Sequence, residues 1–266
     1  MPPDDLLQTK FRIPHLRAQC IDRLRLVRCL ESGHHVSVVL VSAPAGFGKT
    51  TLLGRWAAES TKPVAWLSLD ADDNDPHAFW TCMAAAIGRV HPQLVRSARQ
   101  MLQSPFGLAH KAIVKTLIND IEEEKKSFWM VIDDFHLIDD PATVELFKFF
   151  VDHLPRRMHL VISTRSELPF SVSRMKVEDR FVGISAQDLR FTSDEAEQLA
   201  RQVMEKPFAR QQIARLADQC EGWAAGLQIA MLAARGHDSD KSPALPQVQA
   251  HVINYFMDEV VCFQPP

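Results

Sequence analysis

An α/β fold built on a parallel sheet is predicted by three features of this sequence. Five short apolar runs rich in β-branched residues are spaced along its first two thirds. Helical patterns fill the intervals between them, the signature of strands covered on both faces by crossover helices. From about residue 190 the strand pattern stops and only helical patterns follow.

The strands are "VSVVLVSA" (36–43), "PVAWLSL" (63–69), "FWMVIDD" (128–134), "HLVISTR" (159–165) and "FVGISA" (181–186). Helices are predicted over Lys49–Glu59, Pro76–Val90, His110–Lys125 and Pro141–Leu154. Asp75-Pro76 reads as an N-cap followed by proline at the first helical position, and Asp139-Asp140 before Pro141 reads the same way. Thr192, with Glu195 three residues later, opens a further helix as a capping box. "ARQQIARLADQC" and "GWAAGLQIAMLAAR" continue the helical part. After the polar stretch "GHDSDKSPALPQ" comes "VQAHVINYFMDEVV". The expected organisation is an α/β domain over 1–188 with a lead segment 1–35, a helical domain over 189–236, a linker over 237–247 and a further segment over 248–266.

The 266 residues suffice for one large domain, or one with a smaller appendage. Hydrophobic residues at 46% and charged residues at 24% are ordinary for a globular chain, and a net charge of -3 argues against a dedicated nucleic-acid arm. "MPPDDLLQTK" lacks the apolar core of a targeting signal, and no apolar run approaches the ~20 residues of a membrane span. The five scattered cysteines (Cys20, Cys29, Cys82, Cys220, Cys262) read as reduced thiols, so a cytoplasmic protein with no membrane partner is expected.

The stretch "SAPAGFGKTTL" (42–52) carries the main chemical signal. It matches the phosphate-loop pattern G-x-x-x-x-G-K-[ST], except that Ala43 holds the first glycine position. Such a match arises by chance in roughly one chain of this length in fifty, so its context decides. A buried strand precedes it and a helix without an early breaker follows, as the mechanism needs. Backbone amides of Ala45, Gly46, Phe47, Gly48, Lys49, Thr50 and Thr51 would hold the phosphates of ATP or ADP. Lys49 would neutralise the β/γ oxygens, and the Thr50 hydroxyl would meet Mg²⁺. Ala43 falls at the strand exit, where smallness matters more than the lack of a side chain.

A phosphate loop needs an acidic partner, and "FWMVIDD" ends in Asp133-Asp134. Asp133 is the candidate Mg²⁺ partner, through water, and Asp134 the group that orients the attacking water. "HLVISTR" brings Ser163, Thr164 and Arg165 to the same edge, where ligands bind open parallel sheets. Arg165 is the candidate γ-phosphate sensor. His136 follows the acidic pair and reads as structural. "DADDNDPHAFW" (70–80) resembles a calcium loop but fails, with Asp75 where glycine is needed and Thr81 where the closing glutamate is needed.

Seven ordered blocks carry a family resemblance: "TKFRIP", "SAPAGFGKTTLLGRW", "VAWLSLDADDNDPHAFW", "VIDDFHLIDDP", "LPRRMHLVISTRSELP", "DLRFTSDEA" and "EGWAAGLQIA". The chain resembles MalT-like large ATP-binding regulators of the LuxR type, within the signal-transduction ATPases (STAND class). The resemblance implies a P-loop NTPase with a five-stranded parallel sheet of the additional-strand type, followed by a small helical domain. It implies an ATP-dependent switch: ATP and an inducer favour self-association, and slow hydrolysis resets it. It implies Asp133 and Asp134 as the acidic pair, Arg165 as first sensor, and Arg23 and Arg25 of "RLRL" beside the adenine pocket. "HVINYFMDEVVCFQPP" resembles the start of the family's winged-helix segment. DNA reading would belong to a C-terminal domain outside this sequence.

Two functions stay open at this stage. One is the regulatory ATPase module of a transcriptional activator. The other is a turnover-driven ATPase of the remodelling type, or a small-molecule kinase. The remodelling type has glutamate where this chain has Asp134, one methylene shorter, and no arginine-rich lid marks a kinase.

Overall fold

The computed structural model describes residues 6–15, 20–31, 36–104, 109–204 and 209–234. The expected linker and the winged-helix-like segment lie outside the described residues. In chain order, the described elements are α1 (Leu24–Glu31), β1 (Val38–Ser42), α2 (Lys49–Glu59), β2 (Val64–Ser68), α3 (Pro76–Val90) and α4 (Arg96–Leu102). Then come α5 (His110–Glu122), β3 (Phe128–Asp133), α6 (Pro141–Asp152), β4 (Met158–Thr164), α7 (Ser173–Val177) and β5 (Phe181–Ile184). Short α8 (Ala186–Leu189) leads to α9 (Ser193–Val203), α10 (Arg210–Gln219) and α11 (Ala224–Ala234).

The sheet has five parallel strands in the order β2-β3-β4-β1-β5. β4 therefore lies between the strand that leads to the phosphate loop and the strand that ends in the acidic pair. Its register pairs Ser42 with Thr164 on one side and Ile132 with Ile162 on the other, and β3 in turn pairs Asp133 with Ser68 of β2. All three strand ends open on one edge.

Alternation along each strand sorts side chains between two cores. Ala65, Leu67, Phe128, Met130, Ile132, Leu160 and Ile162 enter the layer under α3, α5 and α6. Val39, Val41, Trp66, Trp129, Val131 and Val161 enter the other, against α1 and α2. Burial on both faces explains why β2, β3 and β4 read as continuous apolar runs, while edge strand β5 is only partly buried. A third cluster, built on Ala196, Leu199, Ile213, Leu227 and Met231, holds α9–α11 together.

The caps read from sequence form as expected. Asp75 accepts from the amides of His77 and Ala78 at 2.9 and 3.0 Å, and Asp140 from Thr143 at 2.7 Å. Thr192 and Glu195 exchange reciprocal bonds of 3.1 and 3.2 Å. Strands β1, β2, β3 and β4 end one residue short of prediction, and three elements end two or more residues short. α5 stops at Glu122, because the Glu124 carboxylate accepts from the amides of Lys125 and Lys126 and closes a turn. α6 stops at Asp152, since the residue before Pro155 is driven out of helical geometry. β5 ends at Ile184, because Ser185 leaves the ladder to cap α8 in a box with Asp188. α4 and α7 carry no periodic signal long enough to read from sequence.

Candidate functional site

β1 delivers the chain to a loop over residues 43–48, and α2 begins at Lys49. Gly46 and Gly48 have φ of 77° and 79°, a left-handed region that a Cβ disfavours. Left-handed residues spaced this way turn successive amides towards a common centre, which is an anion nest. α2 has no side chain capping its start, so its first amides remain available to a ligand. Ala43 needs no glycine. It is buried at the end of the ladder, its amide donating to Thr164 O at 3.2 Å, and it is not among the positive-φ residues.

Lys49 is only 7% exposed and donates from Nζ to Ala43 O at 2.7 Å and Pro44 O at 3.1 Å. Burial pushes its ammonium pKa down to about 8; the charges of Asp134 and Asp133 oppose the shift and that of Arg165 adds to it. Two carbonyl dipoles only partly offset the cost of a buried cation, and an anion over the loop would offset it further. Thr50 Oγ1 donates to Asp133 Oδ2 at 2.7 Å. The Asp133 carboxyl is held above the ordinary carboxylate range by burial first and by the charge of Asp134 second. A hydroxyl and a carboxylate, both hard oxygen donors beside a phosphate nest, fit Mg²⁺. Bound there, the ion would spread charge on the phosphates.

Asp134 sits at φ 59°, left-handed, with its amide donating to Asp133 Oδ1 at 3.1 Å. Short polar side chains tolerate this geometry, and strained positions cluster at functional sites. Its carboxylate is half-buried, with Oδ1 3.8 Å from His136 Nδ1. Burial, reinforced by Arg165 and Lys49, pushes the His136 imidazole down to about 4, so the ring is neutral near pH 7. Arg165 follows β4 directly, close enough for its charge to act on both Lys49 and His136. The loop, the acidic pair and Arg165 thus converge at one edge of the sheet.

Beside the loop opens a cleft of about 460 Å³, within the range of small-molecule sites. Ile21, Arg23, Val27, Gly48, Thr50, Phe191 and Gln228 are among its walls. Arg23 and Arg25 lie at this end, but both guanidinium groups are engaged by the protein. Arg23 Nη2 donates to Leu189 O at 2.5 Å and its guanidinium lies 4.9 Å from the Phe191 ring centre, while Arg25 pairs with Glu195 at 3.1 Å. Asp139 and Asp140 serve the α6 cap and its tie to Asn74. In the loop over 70–75, Asp73 is buried against Lys10 at 2.9 Å. Sequence reasoning gave no role to Trp223 or Phe191. Trp223 contacts the loop across 178 residues, a separation over which no local pattern can signal.

A parallel sheet with a phosphate loop after β1, an acidic pair after β3 and a strand inserted between them defines a P-loop ATPase fold. The chain belongs to the AAA ATPase domain family, which matches residues 16–163, more than half its length. It is 30% identical over 260 residues to the HTH-type transcriptional regulator MalT of Klebsiella pneumoniae (strain 342), and 31% identical to that of Cronobacter sakazakii. Both alignments cover 96% of this chain and 29% of the relative, so the chain spans under a third of the length of these regulators. Among solved structures, a STAND protein with a tetratricopeptide repeat sensor from Pyrococcus horikoshii superposes with a TM-score of 0.63 at 16% identity, covering 93% of this chain and 34% of that one. A Walker-type ATPase of Pyrococcus abyssi gives a TM-score of 0.61 at 16% identity, covering 94% and 77%. These two likenesses concern the fold. No helix among the described residues is long and apolar enough to cross a membrane.

Proposed function

We propose that this chain is the ATP-binding, slowly hydrolysing switch module of a MalT-like transcriptional regulator of the LuxR type, working in the cytoplasm. The observation that carries the nucleotide reading is the left-handed Gly46 and Gly48 pair, with buried Lys49 and the Thr50–Asp133 contact converging on it. In this reading the amides of 45–51 and Lys49 bind the phosphates, and Thr50 and Asp133 hold Mg²⁺. Asp134 orients water, Arg165 senses the γ-phosphate, and the base lies in the cleft beside Arg23. The α/β part to residue 188 and the helical part after it act as two domains. Similarity to HTH-type transcriptional regulators supports a transcriptional role. Self-association in the ATP state and DNA contact through a C-terminal domain belong to the same proposal.

Calorimetric titration with Mg-ATP and Mg-ADP tests the core of the proposal. Binding by the parent and its loss in Lys49→Ala is the expected result; equal heats for both proteins would refute the site. Asp134 in place of glutamate favours the switch over a turnover-driven ATPase, a choice that steady-state hydrolysis decides.

A further inference from the structure

Two consecutive carbonyls of the phosphate loop are hydrogen-bonded from the start of α11. Trp223 Nε1 donates to Ala45 O at 3.0 Å, and the Ala225 amide donates to Gly46 O at 3.0 Å. Glycines make room for the indole on both sides. A Cβ at Gly46 would lie 2.6 Å from Trp223 Nε1, and one at Gly226 would lie 2.3 Å from the ring. The turn that presents Trp223 is fixed in its own right. Glu221 and Gly222 are left-handed at φ 49° and 70°, and Gly222 O accepts from the Phe191 amide at 2.8 Å.

In a trans peptide the carbonyl of one residue and the amide of the next point in opposite directions. Holding Ala45 O and Gly46 O outwards therefore aims the amides of Gly46 and Phe47 the other way, into the cradle. Of the five tryptophans, Trp56, Trp66, Trp80 and Trp129 are buried in the sheet cores. Trp223 is the one placed against the loop.

We propose that Trp223, together with the Ala225 amide, is a positioning residue for the phosphate loop and couples its occupancy to the ordering of α9–α11. The proposal rests on the nucleotide reading above. Phosphate bound to the aimed amides favours the loop conformation whose outer carbonyls accept from α11. The same contact in reverse lets the helical segment set the loop's affinity, since coupling of binding free energies is reciprocal.

Hydrogen exchange with and without saturating Mg-ADP tests this, read at α10 (Arg210–Gln219), which contributes no residue to the cleft. The expected result is slowed exchange over 44–51 and over α10 in the parent. Trp223→Phe removes the indole N–H but keeps a ring. Its Mg-ADP affinity should fall about two- to ten-fold, the worth of one neutral hydrogen bond. At equal saturation its α10 should respond less, because only the Ala225 amide contact remains, whereas a merely structural tryptophan would leave the nucleotide-dependent difference intact. No binding by the parent would overturn the nucleotide reading and the coupling with it. Slowing over 44–51 without slowing of α10 in the parent would overturn the coupling alone. Trp223→Phe that binds and transmits like the parent would remove the role of Trp223. Should that variant fail to fold, the parent's α10 response still decides whether the coupling exists.

Discussion

Thr50 Oγ1 lies 2.7 Å from Asp133 Oδ2, so the first turn of α2 and the end of β3 meet through one hydroxyl and one carboxylate. Asp133→Asn keeps the shape and removes the charge. Where a carboxylate acts on a metal through water, such a change costs about ten- to a hundred-fold in metal affinity. Titrating Mg²⁺ at fixed ATP should show that shift in Asp133→Asn. An unchanged midpoint would remove Asp133 from the metal site.

Lys49 carries a buried charge over the loop, and its removal should weaken ATP and ADP together. A charge-assisted contact is worth about 1.5–3 kcal/mol, or roughly ten- to a hundred-fold or slightly more in affinity. Calorimetry on Lys49→Ala checks this, with the melting temperature of the free protein as control for folding.

Arg165→Ala should separate the two nucleotides. ATP is expected to bind roughly ten- to a hundred-fold more weakly, and ADP as it binds the parent. A ligand shifts a population only through its differential affinity for the two states, so this variant of a full-length regulator should stay loaded and inactive. Parallel losses for both nucleotides would make Arg165 structural.

Turnover should be far below the enzyme median of ~10 s⁻¹. Asp134 is one methylene short of glutamate and lies on left-handed backbone at φ 59°. Asp134→Ala should lower the slow rate by a further ~10²-fold, the lower end of general-base contributions, and leave ADP affinity unchanged. A parent rate near the median would favour a motor or transferase.

Cys82 gives a pH-dependent prediction away from the site. Burial, with Asp73 at 3.2 Å from Sγ, pushes its thiol pKa from 9.0 up to about 12. The folded state then holds this proton where the unfolded state has lost it, so the linked stability is complete below pH 9 and declines as pH rises towards 12. At pH 8 a thiol-alkylating reagent should modify exposed Cys29 quickly and Cys82 only on unfolding. Matched rates at the two thiols would contradict the burial of Cys82.

The sheet and the edge that gathers the candidate site residues were legible because local patterns specify them. Continuous apolar runs give strands buried on both faces, Asp75-Pro76 and Thr192–Glu195 give helix starts, and the loop and acidic pair end their strands as their chemistry needs. The contacts of Arg23 with Leu189 and of Trp223 with Ala45 were not legible. They join residues more than 160 apart, and an arginine or tryptophan in a helical pattern reads as ordinary amphipathic surface or core. Helix ends failed where a side chain diverted the backbone, as Glu124 does after α5.

The position of β4 between β1 and β3 carries a practical consequence. Neighbouring strands sit about 4.8 Å apart whatever their side chains, so the spacing from loop to Arg165 to acidic pair is set by a backbone ladder. Chemistry and spacing are therefore separable in this scaffold. Saturation libraries at positions 134 and 165 would sample reactivity on a constant geometric frame, whereas a single-residue deletion inside β4 would flip Ser163 and Thr164 each to the other face and shift the whole row out of phase.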